Sequence, residues 1–131
     1  MKKQELFDKV ATHLMTQNDR ALDDKRRPTF FAPDGKMCAI GSVMDRRAFE
    51  DCCWASVVMP SDIIHEYDHI LPDGAGKHHS MLESLAYTHD ALRPCDWMDE
   101  LRGIASQEGV NQKVINEFSW VDGGYQRRGR K

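Results

Sequence analysis

"KKQELFDKVATHLMTQ", residues 2–17, is the stretch on which the fold turns. Its apolar residues Leu6, Phe7, Val10, Ala11, Leu14 and Met15 recur at i, i+3 and i+4, which places them on one side of an α-helix. The spacing predicts a helix over residues 3–17 with one buried stripe. A single stripe must be covered by other elements.

Two later segments supply the cover. "GKHHSMLESLAYTHDAL" (76–92) sets Met81, Leu82, Leu85, Ala86 and Leu92 along one side and predicts a helix over 78–92. "CDWMDELRGIASQEGV" (95–110) predicts a helix over 96–107, with Asp96 as its cap, Trp97, Leu101, Ile104 and Ala105 inward, and Gly109 as its stop. Between the first helix and these lies "PTFFAPDGKMCAIGSVM" (28–44), where Pro33-Asp34-Gly35 is a tight-turn signature. A β-hairpin with strands near 29–32 and 36–41 is expected there, and Gly41 marks a bend or a close backbone approach. "NDRALDDKRR" (18–27) reads as a surface loop, and "DRRAFEDCCWASVV" (45–58) mixes helix and strand signals. The segment from residue 111 adds one short element to about Val121, and fraying is expected from Gly123. The expected architecture is α+β: a mostly helical single domain over 1–122 with a small β-hairpin or sheet, followed by a flexible basic tail, 123–131.

Composition bounds the function classes. With 40% hydrophobic and 30% charged residues in 131, the chain belongs with globular proteins able to bury a core without staples. No apolar run approaches the roughly 20 residues of a membrane span. "MKKQELFDKV" has no apolar segment of a secretory signal, so the cytoplasm is the expected compartment and no membrane partner is expected. Cys38, Cys52, Cys53 and Cys95 include no C-x-x-C pair, and free thiols are the expectation. Net charge is −3, but Arg127, Arg128, Arg130 and Lys131 lie in the tail and leave −7 on residues 1–125. An acidic body with a short basic tail makes a poor nucleic-acid binder, so nucleic acid is not an expected partner except through the tail.

Two constellations carry possible chemistry. "PSDIIHEYDHILPDG" (60–74) contains His65, Glu66 and His69, spelling H-E-x-x-H. Ser61-Asp62 can cap a helix of about ten residues there, on which His65 and His69 share a face, hold zinc, and place Glu66 beside a metal-bound water as general base. The third ligand would come from His78, His79, Glu83 or His89, with Glu83 preferred because glutamate third ligands come from a following helix. Against a peptidase stand the shortness of the element between Pro60 and Pro72 and the charged Asp68 between the histidines. A solvated helix face without a cofactor is the favoured reading, and zinc the alternative. The second constellation is Cys38 with His89 and Asp90, the thiol-hydrolase arrangement, in which the imidazole draws the thiol toward thiolate. Cys38 between Met37 and Ala39 in an expected strand reads more simply as a buried, inert cysteine.

The segments "ELFDKVATHLMTQ", "PDGKMCAIG" and "LESLAYTHD", with Gly35-x-x-Cys38-Ala39-x-Gly41 and then His89-Asp90, resemble a group of small, functionally uncharacterised proteins encoded by bacteriophages and other mobile elements. The resemblance covers about two-thirds of the chain and departs from the group's tyrosine-rich strand at Phe30-Phe31 and from its post-glycine turn at "SVMDRRAF". It implies a phage or prophage origin and a bacterial host cell. A non-enzymatic protein acting by protein–protein binding is then expected, for instance an inhibitor of a host or anti-phage-defence protein of the anti-CRISPR kind. Trp54, Trp120 and Tyr125 are the candidate aromatic anchors.

Overall fold

α1 spans Lys3–Gln17, and its six stripe residues are fully excluded from water in the computed structural model, which describes residues 1–52 and 59–128. The five larger side chains, Leu6, Phe7, Val10, Leu14 and Met15, each contribute about 1.5–3 kcal/mol relative to exposure, so the stripe is the principal anchor of the core. Asn18 ends α1 in the left-handed region (φ 66°), its N–H returning to the Leu14 carbonyl at 2.9 Å.

The remaining helices among the described residues are α2 (Arg46–Cys52), α3 (Pro60–Glu66), α4 (His79–Ala91) and α5 (Pro94–Glu108). α4 packs on α3, α5 and α1, so it is the central helix. It stops because Leu92 and Arg93 are extended ahead of Pro94, whose ring disfavours a helical predecessor and then starts α5 at its first position. The N-cap of α5 is therefore Arg93 and not Asp96, which sits inside the first turn and offers no capping bond. Gly109, at φ 71°, ends α5. Trp97, Leu101, Ile104 and Ala105 of α5 meet Met81, Leu82, Leu85 and Ala86 of α4 in one apolar cluster with the α1 stripe.

The sheet lies elsewhere than expected. β1 (Phe118–Val121) and β2 (Gly124–Arg127) form an antiparallel pair, with Trp120 opposite Tyr125 and Val121 opposite Gly124. The turn is Asp122-Gly123, both at positive φ (50° and 86°), the geometry of a two-residue hairpin whose twist suits the strands. Fraying from Gly123 is thus corrected: residues 124–127 are a strand, and Tyr125 is buried.

At 29–41 the Pro33-Asp34-Gly35 turn exists, but the expected strands do not. A single bridge joins Phe31 to Met37, flanked by Ala32 N–H to Lys36 O (2.8 Å) and Cys38 N–H to Phe30 O (3.1 Å). Pairing ends there because residues 39–44 coil into tight turns that bury Ala39, Ile40, Val43 and Met44. Gly41 makes the close approach expected of it: a Cβ would lie 2.4 Å from the Phe30 carbonyl oxygen. No described helix is long and apolar enough to cross a membrane. The mostly helical α+β class is as read from the sequence, with its sheet at the C-terminal end.

Candidate functional site

His89 projects from the inner side of α4 and is fully buried. Its Nε2 accepts the Ala21 N–H at 2.8 Å, so Nδ1 carries the proton and donates to Asp90 Oδ1 at 2.6 Å. Its ring lies over Trp97, with centroids 6.0 Å apart. Both nitrogens are committed within the protein. No lone pair remains to take a proton from Cys38, whose Sγ instead accepts the Gly41 N–H at 3.2 Å. Burial pushes the Cys38 thiol up to about 12, and the nearby Asp90 charge adds to the shift. A hydrolase nucleophile requires the opposite displacement, toward thiolate. The alternative thiol-hydrolase triad of Cys38, His89 and Asp90 therefore does not assemble, and Cys38 is the buried cysteine that the simpler reading expects. What exists is a buried thiol bonded to the Gly41 N–H and, separately, a histidine that ties the 18–28 loop to α4.

His13 belongs to the same region of the fold and was not singled out from sequence. Its Nε2 donates to the Met37 carbonyl at 2.8 Å, and Gln17 closes on Met37 from both sides, donating to the same carbonyl (2.9 Å) and accepting the Met37 N–H (2.8 Å). Burial holds His13 below the ordinary histidine range. These side chains one turn apart on α1 dock the 33–37 turn.

The H-E-x-x-H stretch does not form one helix. Pro60 occupies the first position of α3, and the N-cap is Met59, whose N–H donates to Asp62 Oδ2 at 2.9 Å. α3 ends at Glu66 after seven residues, two-thirds of the expected length; Tyr67 leaves helical geometry (φ −127°, ψ 33°), and Asp68–Ile70 continue as a 3-10 turn. That turn carries Ile70 and Leu71 into the core, and the Ile70 carbonyl accepts the Asp45 N–H at 2.8 Å, fixing the approach to α2. The four-residue phase between His65 and His69 is lost. His69 instead lines an open depression with Asp68, Pro72, Gly74 and Lys77.

His65 turns toward α4. Its Nε2 stands 2.6 Å from Glu83 Oε1, and its ring centroid is 5.5 Å from that of His79, one turn before Glu83. One ligating atom from each of His65, His79 and Glu83 falls within 4.8 Å of the others, and all three residues are exposed. Of the alternative zinc set His65, His69 and Glu83, the structure brings together His65 and Glu83 but not His69, and His79 stands beside them. Glu66 is exposed and stands outside this group.

Of the candidate anchors, Trp54 lies outside the described residues. Tyr125 is a core residue whose hydroxyl donates to the Pro94 carbonyl and accepts the Met98 N–H at 3.0 Å. Trp120 stands edge-on to Tyr125, with centroids 4.7 Å apart, and is 40% exposed, as is Val121. The cation of the last strand is held as well: Arg127 pairs with Glu117 at 2.7 Å and covers the Phe118 ring. No protein-family model, curated protein or solved structure matches the chain.

Proposed function

We propose that this chain is a non-enzymatic binding domain acting in the cytoplasm of a bacterial cell, where it associates with a protein of the host or of an anti-phage defence system. The observation that carries the reading is the hairpin tip. Trp120 and Val121 are turned outward on a strand whose neighbour Tyr125 is locked by bonds to Pro94 and Met98. A large aromatic held in place before contact loses little conformational freedom on binding, which is what makes such residues dominate interfaces. The acidic body, −7 over residues 1–125, favours a partner with a basic face and speeds encounter with it. The resemblance to phage and mobile-element proteins supports the choice of partner class, an inhibitory role being the form such association takes.

The test is affinity capture from a bacterial lysate with the parent chain, Trp120→Ala and Val121→Asp in parallel. One partner recovered in stoichiometric amount with the parent and lost with both variants, at unchanged melting temperature, supports the reading. Equal recovery with Trp120→Ala, or no specific partner in any arm, overturns it.

A further inference from the structure

We propose that His65, His79 and Glu83 form a zinc site that fastens α3 to α4. Three features of the surface carry this. The donor set is two imidazoles and one carboxylate, a combination that suits zinc among divalent ions, because imidazole is a poor ligand for calcium or magnesium. The backbone already brings the donors together: His79 and Glu83 are four apart on α4 and share a face, and His65 at the last turn of α3 meets them with its Nε2 2.6 Å from Glu83 Oε1. Finally, all three side chains are exposed and can turn without disturbing the core.

The geometric demand is small. Tetrahedral zinc with bonds of about 2.0–2.1 Å holds its ligand atoms roughly 3.3–3.5 Å apart. From separations lying within 4.8 Å, the rings close by an ångström or so, while the short His65 to Glu83 contact opens to admit the ion. Three protein ligands leave the fourth position to water on the open side.

The consequence is mechanical. α3 is seven residues long and cannot hold its helical form alone; Ile63 and Ile64 pin its inner side, and nothing covalent pins its last turn. A metal there joins the end of α3 to the first turn of α4. Zinc binding at this place requires neither the hairpin nor any partner.

The test uses the full chain stripped with EDTA, titrated with ZnCl2 by calorimetry and followed by thermal melting. One zinc per chain with a melting temperature that climbs with zinc concentration is expected. His65→Gln, His79→Gln and Glu83→Gln each weaken binding by at least about tenfold, whereas His69→Gln leaves it unchanged. Cobalt added in place of zinc should give the strong visible absorption of a four-coordinate ion, lost in His79→Gln, a readout that does not depend on stability. Circular dichroism of the variants separates lost ligation from lost fold. Binding that survives His79→Gln in a folded protein, or that is lost with His69→Gln, overturns the assignment, as does the absence of heat and of any melting shift at millimolar zinc.

Discussion

Cys38 shows how one residue's surroundings decide its chemistry. The side chain is closed in by the 29–44 turns, its sulfur receives the Gly41 N–H, and the Asp90 charge stands near, so the neutral thiol is strongly preferred and its proton is held up to about 12 against an ordinary value of 9.0. Two outcomes are expected. In the native protein at pH 8, peptide-mapped alkylation should modify exposed Cys95 and spare Cys38, which reacts only after denaturation. The second concerns stability against pH. Because the folded value is raised, the unfolded chain releases the thiol proton first as pH climbs past about 9, so stability falls between there and about 12. Denaturant titrations of parent and Cys38→Ala across that window should show a shallower alkaline decline in the variant, although the variant starts lower by about 1 kcal/mol from lost packing. Equal slopes would remove the thiol as the cause. The sequence offers a cysteine, a histidine and an aspartate; that the histidine's second nitrogen is taken by the Ala21 N–H depends on where a loop 68 residues away is laid, and no local pattern records it.

At the scale of elements, periodicity was sufficient where an element is long and one-sided, as in α1, α4 and α5, because its apolar spacing must match the helical turn to bury anything. It was insufficient where an element is short. The H-E-x-x-H pattern presumes an unbroken helix, and α3 breaks at Tyr67 because the chain turns to bury Ile70 and Leu71; the residue that stands with His65 and Glu83 is therefore His79, on a different helix, and not His69. The sheet was misplaced for a related reason. Pro33-Asp34-Gly35 and Asp122-Gly123 are both good turn signals, but only the second is flanked by segments that stay extended long enough to pair. Two glycines test this understanding of elements in opposite directions. Gly41→Ala sets a methyl against the Phe30 carbonyl, a backbone atom that cannot step aside, and should lower stability by about 1–3 kcal/mol. Gly103→Ala lies inside α5 with open space around it and should raise stability by about 0.5–1 kcal/mol through helix propensity. Urea denaturation of both variants measures the pair; a Gly41→Ala protein as stable as the parent would contradict the packing described for the 29–44 turns, and a destabilised Gly103→Ala the open position in α5.

For the molecule as a whole, the decisive feature is that the C-terminal hairpin closes the core. Asn18, at the end of α1, donates to the Tyr125 carbonyl at 2.9 Å and accepts the Tyr125 N–H, while the Tyr125 hydroxyl reaches Pro94 and Met98 at the start of α5. One residue thereby joins the last turn of the first helix to the first turn of the last, across a sequence separation of 107 residues on one side. A freely fraying tail and a closing strand make different forecasts for truncation. If residues 123–131 were dispensable, a chain ending at Asp122 would melt like the parent. With Tyr125 buried and its hydrogen bonds removed, the truncated chain should instead lose about 3–5 kcal/mol, as when a core aromatic is deleted, and melt lower by roughly 10 °C or more. Tyr125→Phe isolates the polar part: the ring stays, the Pro94 carbonyl and Met98 N–H lose their partner, and about 1–2 kcal/mol should go. Differential scanning calorimetry on the three proteins orders them parent, Tyr125→Phe, truncated chain. Since Trp120 is braced by the same ring, the truncated chain should also lose whatever partner the parent captures, while Tyr125→Phe, which keeps the edge-on contact, should retain it.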